Sequence, residues 1–287
     1  MKYKVQYNSS EKSNIISIGL EKSRTNVEIP NDITEIKKCN FMESYNLESV
    51  ILPNNIKVIG HSAFNSCYKL KNVKLPSSIE VINSKAFLSC GSLEKINIPN
   101  SIKTIGHAAF CNCNSLRKIN ISNSMTIIDK EVFRDCESLE EISLPNSITH
   151  IGESAFFDCQ LLEEIKLPSS LKFIGECAFC ACDSLRKINI PSSVEFIGKL
   201  AFSECDELKE IAINAKCGLP IDILNRCFKL KKIYITQEAY DLSPDFVFNH
   251  KDKIEIIKPK TLDELLDEGK SIREASQIIN QHDDFII

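Results

Sequence analysis

The stretch Leu139-Glu-Glu-Ile142-Ser-Leu144-Pro145-Asn-Ser-Ile148-Thr-His-Ile151-Gly152-Glu-Ser-Ala155-Phe156-Phe-Asp-Cys159-Gln-Leu-Leu162 decides the fold. Alternation at its start puts Ile142 and Leu144 on one face and Ser143 on the other, which predicts a short half-buried strand. Pro145 cannot donate to a ladder, and the Asn-Ser pair that follows favours a turn. A second apolar pair, Ile148 and Ile151, precedes Gly152, read as a permissive backbone position. The i, i+3 spacing of Phe156, Cys159 and Leu162 then suits a helical turn facing inward.

This stretch recurs. Proline or its substitute stands at Pro30, Pro53, Pro76, Pro99, Ser122, Pro145, Pro168 and Pro191, every 23 residues. Phenylalanine keeps the same period from Phe41 to Phe202, and Leu224 follows after a step of 22. Three residues later comes a column that begins with Ser44 and continues as Cys67, Cys90, Cys113, Cys136, Cys159, Cys182, Cys205 and Cys227. Eight of the 13 cysteines are therefore one repeated position. A single unit cannot bury its own apolar side, whereas stacked units share a continuous core, so the period predicts a solenoid. Ten strand positions from Val27 to Ile235, ~4.8 Å apart, give a parallel sheet roughly 45 Å long. The organisation that follows is an N-terminal segment and cap over 1–25, a solenoid over 26–236, and a degenerate coil with a helical cap over 237–287.

The repeated strand entry, for example Leu70-Lys-Asn-Val73-Lys-Leu75, resembles the strand signature of leucine-rich repeats. The 23-residue form with P-x-S-I, I-G-x-x-A-F-x-x-C and L-x-x-I resembles the BspA-like, treponemal-type members of that family over about residues 26–236. The resemblance implies an α/β repeat fold: a right-handed leucine-rich-repeat solenoid with a parallel β-sheet on its concave face and short helical turns. It also implies binding of proteins or ligands on repeat surfaces, in adhesion, host contact or intracellular scaffolding, and it does not imply catalysis.

Composition narrows the function classes. With 43% hydrophobic and 26% charged residues the chain carries a real core. A net charge of −4 gives no global attraction to a phosphate backbone, so no nucleic-acid partner is expected. No apolar run reaches the ~18–20 residues of a membrane span, and the first ten residues lack an apolar core for a secretion signal, which predicts a cytoplasmic protein. In such a setting the column cysteines read as small packing residues. The remaining ones include the CxxC of Cys177 and Cys180, but four converging zinc ligands cannot be assembled, because residues adjacent in sequence point different ways around a coil. His61 and His107 share one repeat position, and no base and orienting acid accompany a nucleophile. The expectation is therefore no catalytic residue, no metal, no cofactor and no enzymatic activity.

Binding residues are sought on the strand's outward side. The column between the two inward residues reads Lys74, Asn97, Asn120, Ser143, Lys166, Asn189, Ala212 and Tyr234, a polar stripe suited to hydrogen-bonded protein recognition on the concave face. Beside it the rungs Arg117-Lys118, Glu140-Glu141, Glu163-Glu164 and Arg186-Lys187 run basic, acidic, acidic, basic, so neighbouring opposite rungs are expected to pair. The leading reading is a protein-interaction scaffold. The alternative rests on Lys4-Val5-Gln6-Tyr7, where Lys4, Val5 and Tyr7 resemble the basic-hydrophobic-x-aromatic motif that docks regulators on type-1 protein serine/threonine phosphatase catalytic subunits. A second alternative is a cell-surface adhesin. The ends read as caps: Asn14–Leu20 as irregular strands, and Thr261-Leu-Asp-Glu264 and Ser271-Ile-Arg-Glu274 as capping boxes opening two helices.

Overall fold

A computed structural model describes residues 25–257. Each 23-residue unit makes one turn of a parallel solenoid, and the chain meets its own previous unit residue for residue. Asn26 pairs with Ser49 and Ser49 with Asn72, each 23 positions on. Parallel neighbours need a crossover of a dozen or more residues, and the rest of each unit supplies it.

Two sets of strands run along the stack. The first comprises β1 (Asn26–Glu28), β3 (Ser49–Ile51), β5 (Asn72–Lys74), β8 (Lys118–Asn120), β10 (Glu141–Ser143), β13 (Lys187–Ile190), β15 (Glu210–Ile213), β16 (Lys232–Thr236) and β17 (Ile254–Ile257). The second is built from two-residue strands: β2 (Glu35–Ile36), β4 (Val58–Ile59), β6 (Val81–Ile82), β7 (Thr104–Ile105), β9 (Ile127–Ile128), β11 (His150–Ile151), β12 (Phe173–Ile174) and β14 (Phe196–Ile197). The apolar pair after each proline thus does more than fill the core; its second member anchors another parallel ladder.

The core lies between these strands and the turns opposite. Phe41, Phe64, Phe87, Phe110, Phe133, Phe156, Phe179 and Phe202 are wholly buried and stack ring on ring. Their centroids are 4.9–5.9 Å apart, the longest step being Phe110 to Phe133. That step coincides with the break between β7 and β9 in the second sheet.

Phe156, Cys159 and Leu162 are all buried, as their spacing requires, but their backbone closes as tandem turns instead of a helix. The reason is where the N–H groups go. Ser154, Phe156 and Asp158 donate to Glu176, Ala178 and Cys180 of the next coil at 2.8–2.9 Å, so they have nothing left for an i−4 carbonyl. Alternate donors sit in the left-handed region, Ser154 at φ 52° and Asp158 at φ 58°, and the same two positions repeat as Ala108 and Asn112 or Cys177 and Ala181. Third-position residues of this kind are characteristic of type II turns.

The glycine that follows five of the eight second-set strands, as Gly60, Gly106, Gly152, Gly175 and Gly198, is fixed by space. A Cβ on Gly175 would stand 2.5 Å from the Glu153 nitrogen and 2.6 Å from the Gly152 carbonyl carbon. Close passage of neighbouring backbones, not an unusual φ, demands glycine there.

The first sheet is interrupted twice. Residues 94–97 join it only through bridge pairs of Lys95 with Asn72 and Lys118. Residues 163–166 form no strand, and no ladder joins β10 to them. Both interruptions fall where like charges stand on adjacent rungs: Lys95 beside Lys118, and Glu140-Glu141 beside Glu163-Glu164. Like charges directly opposite destabilise a ladder.

The degenerate coil closes the described part of the chain. Thr236 caps α1 (Gln237–Asp241), its hydroxyl accepting from the Ala239 N–H. α2 (Pro244–His250) buries Phe246 and leaves Phe248 exposed, and β17 returns to pair with β16. The cap expected over Asn14–Leu20 and the capping boxes at Thr261–Glu264 and Ser271–Glu274 lie outside the described residues. Among the described residues no helix is long and apolar enough to cross a membrane.

Candidate functional site

The cysteine column concentrates thiol chemistry along the stack. Each thiol donates to the carbonyl of the phenylalanine one coil earlier: Cys67 to Phe41 at 3.1 Å, Cys90 to Phe64 at 3.2 Å, and so on to Cys227 with Phe202 at 3.1 Å. Burial pushes the Cys67 thiol up to about 12 and those of Cys90, Cys113, Cys136 and Cys159 well above the usual thiol range. A protonated, inward thiol is neither nucleophile nor metal ligand. Outside the column, burial pushes the Cys177 thiol up and the Cys180 thiol up to about 12. Among the described residues no group of three or more His, Cys, Asp or Glu side chains converges on a metal position.

The outward column of the first sheet divides into two parts. Lys74, Asn120 and Ser143 end β5, β8 and β10 and are exposed; Asn97 and Lys166 are exposed too, in the two coils that lack a strand. Toward the C-terminal end the column closes over. Asn189 is half-buried and its Oδ1 accepts from Asn214 Nδ2 at 2.7 Å. Ala212 is 1% exposed between Asn189 and Tyr234, and the Lys232 ammonium lies 5.6 Å from the half-buried Tyr234 ring. Asn189 and Tyr234 therefore serve packing more than an open surface, and the contiguous polar stripe runs from Lys74 to Lys166.

The charged rungs pair as the sign pattern requires. Arg117 meets Glu140 at 3.3 Å, Lys118 meets Glu141, and Arg186 meets Glu163 at 3.3 Å. Where acidic meets acidic, the missing ladder opens a crevice of about 580 Å³ lined by Glu140, Glu141, Ser143, Glu163, Glu164 and Lys166, with Ile142 and the exposed Leu161 as its apolar floor and edge. Two predicted stripe residues, Ser143 and Lys166, thus face each other across a gap. Lys4, Val5 and Tyr7 lie outside the described residues.

A second surface escapes the sequence reading. On the outer side of the two-residue strands, Val58, Val81, Thr104, Ile127, His150, Phe173 and Phe196 follow one another, one per coil. Ile127 is 50% and Phe196 49% exposed. The rings of His150, Phe173 and Phe196 stack at 5.8 and 4.7 Å. Polar rows border this stripe, with Lys103 paired to Glu80 and Lys172 to Glu195, each at 2.8 Å, on one side. On the other side Lys130 pairs with Glu153 at 2.7 Å. An exposed apolar patch with a polar rim marks an interaction surface. Its signal is present in the sequence as a 23-residue column one position before each buried second-strand residue. It is hidden because Thr104 and His150 interrupt the apolar run.

A family model described as the BspA-type leucine-rich repeat region matches residues 20–140 and 126–255. No curated protein matches the chain. Among solved structures, a leucine-rich repeat protein of T. pallidum is similar at 30% identity with a TM-score of 0.53, over 57% of this chain and 78% of that one. The pneumococcal vaccine antigen PcpA is similar in fold at 21% identity and a TM-score of 0.50, over 83% and 80% of the two chains. So is a leucine-rich repeat protein from Eubacterium ventriosum, at 22% and 0.51, over 82% and 72%. The solenoid register, the buried Phe and Cys columns and the matched repeat model together place the chain in the BspA-type leucine-rich repeat family.

Proposed function

We propose that the chain is a non-catalytic protein-interaction scaffold that receives its partner on the solvent face of the first sheet, between Lys74 and Lys166. The crevice at the ladder gap carries this reading. There Ser143 and Lys166 flank glutamates from two adjacent coils, and β10 lacks a ladder partner on that side. A polypeptide with basic side chains matches such a place, its cations set to the carboxylates. The thiols, which act as hydrogen-bond donors only while reduced, suit a reducing compartment such as the cytoplasm.

Affinity capture on the full chain tests the proposal, compared with Ser143→Arg and with Glu164→Lys. The expected result is a protein partner recovered by the wild-type chain and lost from the variants, with capture that falls as salt rises. Undiminished recovery by the variants would place binding elsewhere.

A further inference from the structure

We propose that two copies of this chain dock face to face across the second sheet, antiparallel, about a two-fold axis at Ile127. This surface is separate from the one assigned to the partner above, so each can fail without the other. The stripe is seven rungs long, about 29 Å at ~4.8 Å per rung. It is the kind of apolar, polar-rimmed face that a monomer seldom leaves open.

The occupant follows from what the stripe would meet when turned on itself. In an isologous contact, residue i meets j and j meets i. With the axis at Ile127, that residue meets its own copy, Thr104 meets His150, Val81 meets Phe173 and Val58 meets Phe196. The half-buried valines at one end thus receive the aromatic rings at the other. A parallel arrangement would set ring against ring at one end and valine against valine at the other, and the faces would splay.

Charge in the row one residue before the stripe selects the same register; on the opposite border Lys130 falls on the axis against its own copy, its ammonium held by Glu153 of the same chain at 2.7 Å. In the row one residue before the stripe, the axis at Ile127 brings Lys57 to Glu195 and Glu80 to Lys172, while Lys103 meets Thr149 and Thr126 meets itself. Moving the axis half a rung toward the N-terminus sets Lys57 against Lys172. Moving it half a rung the other way sets Glu80 against Glu195 and Lys103 against Lys172. Like charges facing across an interface suppress the wrong register. The pairs within one chain leave room for this, since Lys103 engages only Oε2 of Glu80 and Lys172 only Oε1 of Glu195.

Sedimentation equilibrium of the full chain, across the micromolar range, should return twice the 32.4 kDa monomer mass. Phe196→Glu should weaken the association on the order of thirtyfold or more, as loss of an interface anchor does. Cysteine cross-linking then reads the register without depending on that variant's fold. Ile127→Cys should form a disulfide-linked dimer by itself under mild oxidation, and the wild-type chain should not. Val58→Cys should cross-link to Phe196→Cys when the two are mixed, and not to itself. A wild-type monomer throughout, or Val58→Cys linking to its own copy, would overturn the proposal.

Discussion

The thiol of Cys136 donates to the carbonyl oxygen of Phe110, 26 residues earlier, across 3.2 Å. That oxygen also accepts the N–H of Cys113 in its own coil, so it is satisfied from two successive turns of the chain. The column is therefore both a packing position and a stitch between coils. The place is wholly buried in the stack, which suits a small side chain, and sulfur adds a donor where alanine has none.

Replacing Cys136 tests this double role. Cys136→Ala should lower unfolding stability by about 1–2 kcal/mol through the lost contact and donor. Cys136→Val should cost more, because an extra methyl overpacks a close stack at about 1–3 kcal/mol and removes the donor as well. Chemical denaturation measures both. A valine variant more stable than the alanine variant would show that only apolar volume matters.

Gly175→Ala should be strongly destabilising, since the new Cβ would meet backbone atoms of Glu153 and Gly152 that cannot move independently. Gly91→Ala should be neutral or stabilising by a few tenths of a kcal/mol to ~1 kcal/mol, because nothing lies within 4 Å of its Cβ position and the unfolded chain loses freedom. Thermal melts of the two variants side by side read the difference.

Ala181 has φ 59° at the third position of a turn. Ala181→Gly should therefore raise stability, by roughly 0.5–1 kcal/mol, against the usual direction of an alanine-to-glycine change. A lower denaturation midpoint for this variant would contradict the left-handed assignment.

Partial burial, with Asp206, Asp158 and Glu204 nearby, holds the Asp183 carboxyl above the usual carboxylate range. A carboxyl raised in the folded state penalises folding while it is ionised, and the penalty fades as pH falls through its folded value toward its unfolded one. Asp183→Asn should accordingly raise the melting temperature at pH 7 and leave it unchanged near pH 3. Equal effects at both values would assign the gain to something other than charge.

Much of this molecule is legible from the 23-residue period. Once Phe41 recurs as Phe64 and Phe87, parallel register, buried rings and a shared core follow, because identical units can bury identical columns only by stacking. The pairing of Arg117 with Glu140 is legible for the same reason, and the acidic step from Glu140-Glu141 to Glu163-Glu164 is readable in hindsight as the place where a ladder fails. The left-handed turns are not legible. Ser154, Asp158, Cys177 and Ala181 share no residue type that announces a positive φ, and the strain is imposed by hydrogen bonds to the next coil. The closing of the outward column at Ala212 and Tyr234 was equally hidden, since it depends on Asn214 reaching back to Asn189.

The sequence by itself determined the period, the coil-to-coil neighbours within the 23-residue repeat and the inward columns, because burial in a stack of equal units admits one register. Only the tertiary structure decided which outward rows stand open: the polar stripe from Lys74 to Lys166 with its gap, and the apolar stripe centred on Ile127. Exposure is set by how closely successive backbones approach and by where tandem turns aim each side chain, and neither quantity is encoded in the repeat of residue types.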